Sequence, residues 1–243
     1  MIVTKLEEIK YWDLVKEVSA YNDKWTDIAT TKSEIFINLL TSLGNNSKSI
    51  LFVTFNPIAL ILAKNYNVTV ICNENLNKIF DLSSITQVNT LSELTKTFDF
   101  VFALDEYFTY ATDEQNQRDL VNVLCSYTHN WLITTLQDYK NFAPHKKNQI
   151  DAMTVNSSNN YIMLENSIAD RSDKQLWDHY WYCIKDHQTL MTIGPIKRRT
   201  MYFKQLAKYT SDVGGLEYVI QKNLLYKGFF SKNFEHIITV KMQ

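Results

Sequence analysis

The chain has 243 residues, of which 45% are hydrophobic and 21% charged, with a formal net charge of -1. These fractions exclude a disordered chain and predict a globular protein with a substantial core. The near-neutral balance excludes a strongly basic nucleic-acid binder, though not a local basic patch.

Residues 1–48 predict helices that precede a sheet. Leu6, Ile9, Trp12, Leu14, Val15 and Val18 recur at helical spacing, as do Ile35, Phe36, Leu39, Leu40 and Leu43, after which Gly44 is a stop. No signal-peptide pattern and no run of about 20 apolar residues is seen in this stretch, so the expectation is a cytoplasmic protein with no membrane partner.

The segment 49–74 carries the clearest pattern. An apolar run at 49–54 is too short for a helix, and Asn56-Pro57 punctuates it. Ile58, Leu60, Ile61, Leu62 and Ala63 then predict a helix packed on a sheet, and 68–72 a second buried strand. Strand, crossover helix and parallel strand make a right-handed βαβ unit, whose ligand edge lies at the carboxyl ends of its strands. Phe55-Asn56 and Asn73-Glu74 occupy that edge.

Further along, the pattern predicts a short helix at 76–82, a strand at 85–88, a helical turn at 91–94 and a buried aromatic strand at 98–104 that stops at Asp105-Glu106. A helix at 117–127 and a fifth strand at 131–136 follow. The next sixty or so residues are longer than ordinary loops, and predict an inserted strand pair at 161–164 and 179–184 with a third strand at 189–193. Trp177, Tyr180, Trp181 and Tyr182 crowd this insertion, as a packed core, a dimer interface or a base-stacking surface would. A helix at 200–210 and strands at 216–221 and 235–240 complete the chain. With no linker or repeat, the organisation predicted is one domain over 1–243, with N-terminal helices at 1–48 and an inserted β segment at 140–197.

Five β/α steps, a helix and two terminal strands resemble the class I S-adenosylmethionine-dependent methyltransferase fold over about 49–242. The resemblance implies an α/β, Rossmann-like three-layer sandwich: a mostly parallel seven-stranded sheet of order 3-2-1-4-5-7-6, with an antiparallel last strand and a small β insertion. Thr54, Asn56 and Ile58 stand where the family has a glycine-rich loop, and Phe52 where an acidic residue is common. A side chain at such a glycine position fills space a ligand needs, or excludes positive φ.

The resemblance also assigns roles. Phe55, Asn56, Asn73 and Glu74 fall at the cofactor edge, where Glu74 would bind both ribose hydroxyls of S-adenosylmethionine, a carboxylate accepting two hydrogen bonds side by side. Asp105, Glu106 and Tyr107 fall at the substrate-side motif, where carboxylates take a proton or bind an amino group. Solvation or capping explains the same carboxylates without chemistry. Lys197, Arg198 and Arg199 precede a predicted helix N-terminus, an arrangement that suits the phosphate of a nucleotide or nucleic-acid substrate or, equally, a solvated basic turn.

No metal-ligand spacing, Ser-centred elbow, P-loop or paired-Cys motif is present; Cys72, Cys125 and Cys183 predict reduced thiols in apolar surroundings. Two readings follow. One, favoured by the intact Asn73-Glu74 and Asp105-Glu106 edges, is a methyltransferase of unidentified substrate. The other, favoured by the missing glycines, is a non-catalytic protein of the same fold, acting as a binding or assembly subunit or as a homo-oligomer through the aromatic insertion.

Overall fold

A computed structural model describes residues 12, 24–44, 49–137, 149–156, 161–170, 172, 173, 175–226 and 234–243. Apart from Trp12, the helix expected at 6–18 lies outside them, as does the connection at 227–233. The second N-terminal helix is α1 (Lys24–Leu43), which buries Phe36, Leu39 and Leu40.

β1 (Ser49–Phe52) is central in the main sheet and parallel to both neighbours, β2 (Asn67–Ile71) and β4 (Phe98–Ala103). A parallel strand covered on both faces needs a continuous apolar run, which Ile50, Leu51 and Phe52 supply. The crossover α2 (Ile58–Leu62) is a short helix that turns Ile58, Ala59 and Leu62 into the core, with Pro57 at its start in a helical conformation. β3 (Thr86–Val88) extends the sheet beyond β2. The helix expected at 76–82 is instead a single 3-10 turn, Glu74–Lys78, because Asn73 accepts a hydrogen bond from the Asn75 N–H at 3.0 Å and starts it early.

On the other side of β4 lie α3 (Glu114–Ser126), capped by Asp113, and β5 (Thr128–Gln137). After the insertion come α4 (Phe203–Ser211), β10 (Gly215–Tyr226) and β11 (Phe234–Met242). The seven strands run β10-β11-β5-β4-β1-β2-β3, and β11 is antiparallel to both β10 and β5. This is the order 3-2-1-4-5-7-6 implied by the resemblance. Two apolar clusters cover its faces. One joins α1 and α2 to Ile50, Phe52, Phe100, Phe102 and Ile133; the other joins Val121, Leu124 and Leu206 to Leu51, Val101, Leu132 and Ile238.

The insertion holds one strand more than the three predicted. β6 (Gln149–Asn156), β7 (Tyr161–Ala169), β8 (Leu176–Lys185) and β9 (Gln188–Arg199) form a separate four-stranded antiparallel sheet in that order. β8 alternates between its faces, and Trp177, His179, Trp181 and Cys183 are its buried set. Of the three arrangements open for the aromatic insertion, Trp177 and Trp181 follow the packed core. Tyr110, from the turn after β4, packs against the Trp181, Cys183, Ile193 and Ile196 cluster, and so joins the second sheet to the carboxyl edge of the first.

Candidate active site

The carboxyl ends of β1, β2, β4 and β5 form one edge. At the end of β1 the Val53 N–H still donates to the Phe102 carbonyl at 3.0 Å, and the chain then turns away. Phe55 sends its ring into the core against Trp12 and Phe80, at centroid distances of 5.3 and 4.8 Å. Asn56 accepts the Ile58 N–H on Oδ1 and donates from Nδ2 to Asp105 Oδ2, both at 3.0 Å, so its amide ties the β1 loop to the end of β4.

The glycine-free loop is explained by its backbone. Among the described residues, positive φ outside glycine occurs only at Asp105, Glu106, Asp186 and His187, none of them in this loop. Thr54, Asn56 and Ile58 therefore sit in conformations open to any L residue. The Ile58 side chain is buried in the α1-side cluster. At the end of β2, Asn73 is buried and caps the next turn, whereas Glu74 is exposed as that turn's first residue.

Strain is concentrated after β4. Asp105 and Glu106 have φ of 55° and 57°, a left-handed conformation that costs a non-glycine residue on the order of 1–3 kcal/mol. The Glu106 N–H donates to Thr135 Oγ1 at 3.4 Å, and its carbonyl accepts from the Thr109 N–H and hydroxyl at 2.8 and 2.7 Å. Its carboxylate accepts from Arg198 Nη1 at 3.2 Å, with both side chains buried. The Arg198 guanidinium stacks 4.1 Å from the centre of the Tyr110 ring and donates to the Tyr110 hydroxyl.

The three residues expected to be catalytic thus separate. Asp105 stays half-buried at the edge, fixed by Asn56. Glu106 turns inward to Arg198. Tyr107 packs into the α3-side cluster, where burial pushes its phenol up to about 12, so it remains protonated near neutral pH.

Lys197, Arg198 and Arg199 are the last three residues of β9 and do not form a solvated turn. Lys197 Nζ lies 3.2 Å from Asp170 and 3.3 Å from Asp178. Arg199 pairs with Asp173 at 2.9 Å and donates to the Gln175 side-chain carbonyl. With Arg198 buried on Glu106, each of the three cations is engaged by a carboxylate. The partners come from other strands and loops, so inspection of the basic triplet alone could not reveal them.

Sequence reasoning also missed Gln117, whose fully buried amide nitrogen donates to the carbonyls of Phe108, Arg199 and Thr200 at 3.2–3.3 Å and so joins α3 to the end of β9. Its helical position carried no local sign of that task. Among the described residues no cluster of three or more His, Cys, Asp or Glu is placed to hold a metal, and the three cysteines are buried thiols. No described helix is long and apolar enough to cross a membrane.

No family model matches the sequence, and no curated protein matches it. Solved structures do match. DesVI of Streptomyces venezuelae is 10% identical with a TM-score of 0.69, covering 95% of this chain and 98% of its own. The sugar N-methyltransferase KedS8 of Streptoalloteichus is 12% identical with a TM-score of 0.66, over 96% and 92%. The CcbJ methyltransferase of Streptomyces caelestis is 15% identical with a TM-score of 0.65, over 84% and 86%. Strand order, the antiparallel β11 and these structural matches agree that the chain has the Rossmann-like fold of class I S-adenosylmethionine-dependent methyltransferases.

Proposed function

We propose that this protein transfers a methyl group from S-adenosylmethionine to a nucleophilic nitrogen or oxygen of a small polar acceptor. The observation that carries the reading is the carboxyl edge of the sheet, where an exposed Glu74 opens the turn after β2 and a half-buried Asp105, fixed by Asn56, follows β4. The residues present fit the cofactor. Glu74 offers two acceptor oxygens for ribose hydroxyls, and the β1 loop holds its shape without the left-handed conformation that demands glycine. Phe55 offers its backbone, because its ring is committed to the core.

When bound, the cofactor supplies an electrophilic methyl on a sulfonium. The protein's part is to align acceptor and donor, which accounts for most of the acceleration in such a displacement. In this reading Asp105 hydrogen-bonds the acceptor and takes the proton that it releases. Glu106 does not compete for that task, since its carboxylate is occupied by Arg198.

A small acceptor is favoured over a nucleic acid by the pairing of Lys197, Arg198 and Arg199 with carboxylates, which leaves this triplet a poor phosphate grip. Structural neighbours that include a sugar N-methyltransferase and an amino pentose methyltransferase point the same way.

Calorimetric titration with S-adenosylhomocysteine tests the reading. The unmodified protein should bind well below millimolar concentration, and Glu74→Ala should weaken binding roughly 10-fold or more, the usual loss when a charged hydrogen-bond acceptor is removed. No binding at about 1 mM, near -4 kcal/mol, would return the chain to the non-catalytic reading.

A further inference from the structure

Gln137 is the last residue of β5 and only 2% exposed, yet neither its Nε2 nor its Oε1 has a hydrogen-bond partner. Its backbone is accounted for, in register with Glu235 of β11; the orphan is the side-chain amide. Gln117 differs in degree: its Oε1 is also without a partner, but its nitrogen is shared among three carbonyls, whereas Gln137 has neither atom bonded. A buried amide donor and acceptor left unmatched destabilise the folded state, and such groups are satisfied in nearly all native structures.

Its position gives the orphan a use. β4 and β5 are in register at Ala103 and Thr134, so Gln137 stands three residues beyond the last paired position of β4. Along the unbroken β5–β11 ladder, alternation places Ile133, Thr135 and Gln137 on one face. Thr135 on that face holds the Glu106 N–H, which sets the strained Asp105-Glu106 turn beside the strand just below Gln137. Deeper on this face Ile133, Phe102 and Phe52 fill the core, which leaves the carboxyl edge as the side from which a ligand would approach the amide.

We propose that Gln137 recognises the methyl acceptor, binding a neutral group that presents a hydrogen-bond donor and acceptor together, as an amide edge or a pair of neighbouring hydroxyls does. The assignment rests on the methyl-transfer reading above. A primary amide both donates and accepts, so one such group satisfies both orphan atoms at once, whereas an ammonium or a carboxylate satisfies only one. A residue kept for binding at the expense of folding should be replaceable with a gain in stability.

Two measurements on Gln137→Met, with Gln137→Leu as the second apolar variant, test this. Thermal unfolding of the ligand-free protein should show Tm raised by about 2–4 °C in at least one variant. Unchanged or lowered Tm in both would mean that the amide braces the fold, and would overturn the proposal. Titration with S-adenosylhomocysteine should give an affinity within about twofold of the unmodified protein, because the residue faces the acceptor; a tenfold loss would move it to the cofactor side and also overturn the proposal. Failure of the unmodified protein to bind S-adenosylhomocysteine defeats the methyl-transfer reading and this inference together. A lowered Tm with that binding intact defeats the inference alone.

Discussion

Arg198 of β9 and Glu106 after β4 meet at 3.2 Å with both side chains buried, 4% and 1% exposed. This pair fastens the small sheet to the edge of the large one and fixes the turn that carries Asp105. Removing one partner of a buried pair leaves a charge without compensation, at a cost of about 3–5 kcal/mol, whereas replacing both by apolar residues is often close to neutral. Arg198→Ala should therefore lower the urea midpoint severely, and Glu106→Leu with Arg198→Met should recover most of the loss. The double variant keeps the fold but loses the anchor beside Asp105, so turnover of S-adenosylmethionine should remain low in it while stability returns. A double variant as unstable as Arg198→Ala would mean that the pair itself is a net stabiliser.

Burial of Tyr107 predicts a slope in stability at alkaline pH. Its phenol is raised from 10.0 to about 12 by desolvation, so between about pH 10 and 12 the unfolded chain has lost the proton and the folded chain still holds it. Stability is therefore fully present below pH 10 and falls as pH rises toward 12, by up to about 1.4 kcal/mol per pH unit for one proton. Urea unfolding at pH 9, 10 and 11 should show this fall, and Tyr107→Phe should reduce the slope by close to one proton. Cys125, pushed from 9.0 to about 12 by burial, adds a parallel slope from about pH 9 that Tyr107→Phe leaves in place.

Gly194 marks a point where β9 depends on glycine. Its φ is +117°, and a Cβ there would lie 2.5 Å from the His179 carbonyl oxygen, beside the register shift between β8 and β9. Gly194→Ala should destabilise by roughly 2–3 kcal/mol, a large effect for one methyl group. Hydrogen exchange should localise the loss to β8 and β9, and with them to the strand that carries Arg198. A change confined to the main sheet would contradict this account.

The amino-acid sequence by itself determined the main α/β framework. Apolar runs such as Ile50-Leu51-Phe52 and Phe100-Val101-Phe102 mark strands covered on both faces, and the Asn56-Pro57 break marks the crossover, because burial on a sheet and helix initiation leave local patterns. The same locality placed Glu74 just past a strand end. Only the tertiary structure decided what those ends do. Glu106 and Arg198 are 92 residues apart and meet through the docking of two sheets, which no local period encodes. Lys197, Arg198 and Arg199 looked alike as a basic triplet; alternation along β9 buries the middle one and leaves its neighbours to carboxylates on other segments. The β1 loop dispenses with glycine because its φ values are ordinary, and the left-handed strain falls instead on Asp105 and Glu106, where Arg198 and Asn56 hold it. Backbone dihedrals and long-range partners depend on how elements pack, and packing is what a reading by local pattern does not contain.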